Sequence, residues 1–325
     1  MCRRTAVVDT YRRRKLSYYP VNHTGTNPPS NPKTKAVAII PARYDSVRLP
    51  GKALLEIAGK PMICWVVERA LAARNVSRAI VATDDERILE AVKSAGHEAV
   101  MTRGDHKSGT DRIAEVAASL KDVEIIVNVQ GDEPLISPET VERAIKELGE
   151  RVTGKGEDCQ GEKVKGERVT EGIGIVTTWE SMESAADVLN PDVVKVVVDD
   201  HNRAIYFSRS PMPYPREAVR EHGSIEAAIL AEPALLTSFR KHAGLYVYRR
   251  DVLLEFAQWP QAELERLESL EQLRALEHGV KIKVIKASTL SIGVDTIVDL
   301  ERVRSIVEGD SFEFRVSSSE FARTT

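Results

Sequence analysis

The segment "IPARYDSVRLPGK", Ile40 to Lys52, follows directly on the apolar run Ala36–Ile39. It gathers Arg43, Arg48 and Lys52 where a buried strand gives out, with prolines to stiffen the loop and Gly51 free to turn. Guanidinium groups grip phosphate oxygens in pairs and a lysine ammonium adds a point charge, so the chemistry on offer is that of a polyphosphate cradle. This is not a Walker A motif: Ser46 stands where its first glycine belongs, and Ala53 follows Lys52. Nor is it a dinucleotide fingerprint. The plain alternative is a solvated turn whose arginines pair with surface acids.

Two carboxylates occupy comparable places. Asp132 follows "IIVNVQ" in "GDEP", and Asp295 lies in "SIGVDT" just before a helix. Each has an ordinary reading, since Gly-Asp-Glu-Pro is good turn chemistry and an aspartate ahead of a helix caps it or opposes its dipole. Combined with a triphosphate, however, two carboxylates are what one or two Mg²⁺ ions require. Thr83 and Asp84 at the end of a strand offer groups for a ribose or base edge, against helix capping as the alternative. Ser108 and its neighbouring amides in "TRGDHKSGTDR" offer groups that read a pyrimidine, against capping by Thr110. Arg209 after "AIYFS", His242 and Tyr246 in "HAGLYVY", and Glu271 and Gln272 in "LESLEQLR" are equally open to structural roles. A lone histidine is more often a satisfied buried residue than a catalyst.

The elements that must position these residues alternate. Strands are predicted at 36–40, 78–83, 98–102, 124–130, 193–199, 244–249 and 281–287. Helices are predicted at 63–73, 86–94, 110–120, 138–147, 252–259, 267–277 and 298–307. That rhythm implies an α/β fold, a mostly parallel sheet covered on both faces, with ligands collecting beyond the carboxyl ends of strands. Residues 149–172, rich in Gly, Lys and Glu, read as a solvated loop insertion, and 211–240 as a helical excursion or dimer-contact region. The Arg-rich, Pro/Asn-rich start, 1–34, and the end, 309–325, are expected to be loose tails.

Composition narrows the classes. A hydrophobic fraction of 42%, 29% charged residues and a net charge of -3 fit a globular chain whose basic site is local, so no specific nucleic-acid partner is expected. Three cysteines without paired spacing argue against a disulfide framework or structural zinc and make the cytoplasm the simplest compartment. No apolar run reaches the roughly 20 residues of a membrane span.

Taken in order, "IPARYDSVRLPGKAL", "ATDDERI", "MTRGDHKSGTDRIAE", "VNVQGDEPLI", "NPDVVKVVVD", "AIYFSRSPMPYPR", "HAGLYVYRRDVL", "LESLEQLRALEHG" and "GVDTIVDLERV" resemble the 3-deoxy-manno-octulosonate cytidylyltransferases, or CMP-Kdo synthetases. The resemblance spans 36–308. CMP-sialic acid synthetases share the IPAR start but typically continue with a Gly/Ser/Lys-rich loop. The resemblance implies a Rossmann-like (GT-A-like) nucleotidyltransferase fold with a central mixed, mostly parallel sheet, and a small inserted subdomain at about 200–260 for sugar and dimer contacts. It implies CTP and Kdo as substrates, CMP-Kdo and pyrophosphate as products, Mg²⁺ as cofactor and a homodimer. Carried over by position, Arg43 and Lys52 would grip the triphosphate, and Asp132 and Asp295 would hold Mg²⁺. Thr83, Asp84, Ser108 and Gln130 would bind the cytidine, and Arg209, His242, Tyr246, Glu271 and Gln272 the sugar. Rival expectations are another acidic sugar, such as an 8-amino analogue of Kdo, and a non-catalytic nucleotide-binding homologue.

Overall fold

The computed structural model describes residues 36–45, 48–149 and 172–309. The basic leader 1–34, nearly all of the 149–172 insertion and the stretch after Gly309 lie outside the described residues. β1 (Ala36–Ala42) sets the layering. Ala36, Ala38 and Ile40 enter one hydrophobic cluster and Val37 and Ile39 the other, as the period of two requires. Both faces are covered, which is why this strand reads as an unbroken apolar run.

A short ladder, β2 (Glu56–Ile57) with β3 (Lys60–Pro61), leads into α1 (Met62–Leu71). Then come β4 (Val76–Thr83), α2 (Glu86–Ser94), β5 (Glu98–Met101), α3 (Gly109–Ser119), β6 (Ile125–Asn128) and α4 (Pro138–Gly149). Past the insertion lie β7 (Ile175–Ser181), α5 (Ala185–Leu189), β8 (Lys195–Val198), β9 (Ala204–Ser208), α6 (Arg216–His222) and α7 (Ile225–Ala231). The described chain closes with β10 (Arg240–Arg249), α8 (Arg250–Phe256), α9 (Glu263–Glu268), α10 (Gln272–Glu277), β11 (Ile282–Lys286) and α11 (Ile297–Glu308).

The sheet order is β11-β7-β10-β6-β1-β4-β5, with β8 branching from β10 and β9 pairing β8. β1 runs parallel to β4 and β6, β4 to β5, and β7 to β11, whereas β10 is antiparallel to both neighbours on the main path. The expected mixed, mostly parallel α/β sheet is what the chain builds. Ile63, Val67, Ile88, Val141 and Ile145 from α1, α2 and α4 cover one face. Ile113, Val116, Leu253, Phe256 and Leu273 from α3, α8 and α10 cover the other.

Three features differ from the expected elements. β7 carries Thr177 and Thr178 fully buried, so its core positions lack the apolar signal of a strand. β9, Ala-Ile-Tyr-Phe-Ser, was not among the expected strands; it is half exposed and pairs only with β8. The single helix expected at 267–277 is two, because Ser269 takes φ +53° and ends α9 in the left-handed region.

Candidate active site

The exits of β1 and β6 are adjacent because the two strands pair directly. Gly131 lets them close: a Cβ there would lie 2.8 Å from the carbonyl oxygen of Pro41, so any side chain would force the exits apart. In the cationic loop Gly51 adopts φ +67° and donates its N–H to Tyr44 O at 2.9 Å, folding Lys52 back over the sheet edge.

Lys52 Nζ then stands 2.5 Å from Asp132 Oδ2 and 3.0 Å from Asp295 Oδ1, and Arg48 Nη2 lies 3.1 Å from Asp295 Oδ2. Burial alone would lower the Lys52 pKa, but Asp132, and then Asp295, outweigh it and hold the ammonium above its ordinary value. Asp295 reaches this point through α11, whose Leu300 and Val303 pack with Val294 against Ile57 and Met62. A main-chain bond from Val294 N to Asp132 O at 2.9 Å pins the two carboxylate-bearing segments together.

The ordinary readings of the two aspartates are met only in part. α11 is capped by Thr296 in a capping box with Asp299, so Asp295 is not the cap. The expected turn after β6 is present, closed by Glu133 N donating to Gln130 O at 3.1 Å, and it leaves the Asp132 carboxylate to accept from Lys52. Two carboxylates converging on one cationic point form a hard oxygen donor set, and with phosphate oxygens added they fit a divalent cation. Glu133 was not anticipated. Burial, then the negative charge of Asp132, pushes its carboxyl up to about 7, against a hydrogen bond from Ser291.

The other predicted residues are distributed around this cluster. Arg43 is exposed and donates from Nη2 to His106 O at 2.9 Å, so it spans to the 102–108 loop instead of joining Lys52. Thr83 is fully buried and accepts the Asp85 N–H, which places it behind the surface. Asp85, not Thr83 or Asp84, caps α2. Asp84 accepts a 2.6 Å bond from Arg112 Nη2, and Arg112 is wholly buried with its Nε unpartnered. Ser108 itself, not Thr110, caps α3, taking the Asp111 N–H at 3.1 Å. Gln130 donates to Asn128 Oδ1 at 3.3 Å, and Gly244 of β10 lies against its side chain.

Gln130 thus leads from the charged cluster to β10, where His242 and Tyr246 lie with ring centroids 5.4 Å apart. Thr177 Oγ1 donates to Leu245 O at 2.9 Å, so the 2.9 Å contact from His242 Nε2 is a donation by the imidazole to that hydroxyl. Burial pushes the His242 pKa down to about 4. Burial, and then Tyr248 and Glu271, raises that of Tyr246. Glu271 Oε2 takes the Thr110 hydroxyl at 2.5 Å, and Gln272 is buried beside it in α10. Arg209 donates from Nε to Glu268 O at 2.7 Å and from Nη1 to Pro191 O at 2.9 Å. A cavity of about 800 Å³ runs between α3, the 103–108 loop and α8–α10; Ser108 and Glu271 line it, whereas Lys52, Asp132 and Asp295 do not.

A mixed sheet that gathers cations and carboxylates beyond the ends of β1 and β6 has its ligand edge where α/β enzymes bind phosphorylated substrates, and comparison with known proteins makes the class a nucleotidyltransferase. A family model described as Cytidylyltransferase matches residues 37–282. The 3-deoxy-manno-octulosonate cytidylyltransferase of Trichlorobacter lovleyi is 48% identical over 269 residues, 82% of this chain and 96% of that protein. That of Escherichia coli is 42% identical over 274 residues, 84% of this chain and 96% of that protein. The solved structure of a CMP:2-keto-3-deoxy-manno-octonic acid synthetase complexed with CTP matches with a TM-score of 0.70 at 41% identity, covering 85% of this chain and 99% of that one. The chain belongs to the 3-deoxy-manno-octulosonate cytidylyltransferase family. Among the described residues, no helix is long and apolar enough to cross a membrane.

Proposed function

We propose that the chain transfers CMP from CTP to 3-deoxy-manno-octulosonate (Kdo), releasing pyrophosphate, with Mg²⁺ held by Asp132 and Asp295. The observation that carries this reading is the convergence of both carboxylates on Lys52, at 2.5 and 3.0 Å. Lys52 and Arg48 carry the positive charge that meets the triphosphate, and Arg43 extends it toward the 102–108 loop. When bound, the ion offsets the triphosphate charge and lowers the pKa of a hydroxyl bound to it. The sugar's 2-hydroxyl oxygen bonds to the α-phosphorus as the bond to the β-phosphate bridge breaks, and its proton passes to solvent. Positioning and electrostatics supply the acceleration, with no side chain assigned as a dedicated base.

Asp84, Ser108 and Gln130, with Thr83 behind them, form the cytidine side. Arg209, His242, Tyr246, Glu271 and Gln272 form the sugar side, on a subdomain of about 200–260 that extends into α10. The same subdomain serves as a homodimer contact, a reading supported by exposed Ile205, Tyr214 and Leu230, at 59%, 61% and 73%. The enzyme works in the cytosol.

The test is to incubate the purified chain with Mg²⁺, Kdo and each of the four nucleoside triphosphates in turn. Pyrophosphate from CTP alone is expected. Release that is independent of the base, or absent throughout, would reject the proposal.

A further inference from the structure

Lys195 in β8 is a large side chain with no exposed surface. A buried ammonium is tolerated only when its protons are matched, and all three are. Nζ donates to the carbonyl oxygens of Asn190 at 2.9 Å, Val193 at 2.6 Å and Arg209 at 2.5 Å. None of these acceptors carries a charge. Burial, and then the neighbouring Arg209 cation, lowers the Lys195 pKa, and only Glu268 opposes them. Holding two cations together in this way costs stability that an apolar residue would not.

What the arrangement connects is informative. Arg209 reaches back from its guanidinium to Pro191 O and to Glu268 O, with a longer 3.5 Å approach to Ser269 O. The Glu268 carboxylate returns the tie, accepting Arg209 N at 2.9 Å and Ser208 Oγ at 2.6 Å. The turn before β8, the exit of β9 and the turn into α10 are thereby fastened at one point. β10 joins too, through His242 N to Val194 O at 2.8 Å. Of the five N–H groups of a guanidinium, three point at these carbonyls, and two are not used by them.

We infer that Lys195 is a positioning residue for the acidic-sugar subsite: by clamping the turn at Asn190 and Val193 to the Arg209 carbonyl, it aims the remaining N–H groups of Arg209 at the sugar's carboxylate. The inference rests on the proposed reaction. A lysine that merely stabilises the fold would, when lost, weaken both substrates together. A positioning lysine weakens one.

The experiment uses the full chain and measures KM for Kdo and for CTP separately. In Lys195→Met, KM for Kdo is expected to rise about tenfold or more while KM for CTP stays within about twofold. Lys195→Arg keeps the charge, but a planar fork cannot match three acceptors grouped around a tetrahedral nitrogen, so it is expected to behave like the methionine variant. It also carries the test if that variant fails to fold. Because Lys195 acts through Arg209, the double variant with Arg209→Met should raise KM for Kdo no more than about twofold beyond Arg209→Met alone. An unchanged KM for Kdo in either single variant, equal losses for both substrates, or additive effects would overturn the inference. Wild-type chain that releases no pyrophosphate from CTP and Kdo would instead sink the reaction reading, and the inference with it.

Discussion

The two ends of the candidate site are built by opposite means. Beyond β1 and β6 the groups are charged and the rim meets water: the Asp295 side chain is 41% exposed and that of Arg48 65%, around a Lys52–Asp132 pair at 17% and 26%. Around β8, β9 and α10 the cation Lys195 has no exposure, and its partners are backbone carbonyls. An exposed pair such as Arg48–Asp295 is weak and exchangeable, so phosphates and a metal can replace it on binding. A buried ammonium held by carbonyls has no comparable freedom. The difference suits the two tasks: the first end rearranges around a large changing charge, and the second presents fixed hydrogen-bond groups that select one sugar.

The comparison can be broken most decisively at the charged end. Asp132→Asn and Asp295→Asn should each lower pyrophosphate release about a hundredfold or more at saturating substrates, because each removes a carboxylate proposed to hold Mg²⁺ against the triphosphate. Chelation of divalent ions should stop turnover of the wild type, with recovery when Mg²⁺ is restored. Losses below about tenfold in both variants would contradict the division of labour between the two ends.

Gly131→Ala sharpens the structural side of the contrast. The added methyl lies 2.8 Å from the Pro41 carbonyl, and backbone cannot swing aside as a side chain does. A destabilisation of about 2 kcal/mol is expected, read as a fall in thermal midpoint of several degrees. The rigid end should show itself through pH. His242 is held neutral by burial, its pKa lowered from 6.5 to about 4, so below the upper value the unfolded chain binds a proton that the folded chain refuses. Stability is therefore lost as pH falls from 6.5 toward 4. His242→Gln should flatten that limb by about 3 kcal/mol, measured as denaturant midpoints at both ends of the window. The smallest effect belongs to Arg48→Ala, which removes an exposed pair and should change stability by less than about 0.5 kcal/mol.

Much of the charged end was legible before any coordinates. Arg43, Lys52 and Asp132 each follow a buried strand, and a chain leaving such a strand delivers its next residues to the ligand edge of the sheet. Their detailed use was less legible. Arg43 turned to His106, a choice of loop packing, and Thr83, paired on both sides as the last residue of β4, sank beneath the surface. At the polar end the reading was thinner. β7 hid behind buried threonines and β9 behind an exposed face. Lys195 sits in "VVKVVVD", where a lysine in an apolar run reads as the solvent side of a strand. Glu268 and Ser269 looked like the first turn of a helix at 267–277, whereas Glu268 ends α9 and Ser269 turns left-handed before α10.

The sequence by itself determined the alternation of strands and helices and the placing of cations and a carboxylate at strand exits, since hydrophobic period and local turn chemistry are written in neighbouring residues. Only the tertiary structure decided that β10 enters the sheet antiparallel and that Asp295 reaches Lys52 from 243 positions away. It alone decided, too, that the Lys195 ammonium would find three carbonyls. Contacts between chain-distant polar groups leave no periodicity behind; strand order and helix packing choose the partners, and those depend on the whole core at once.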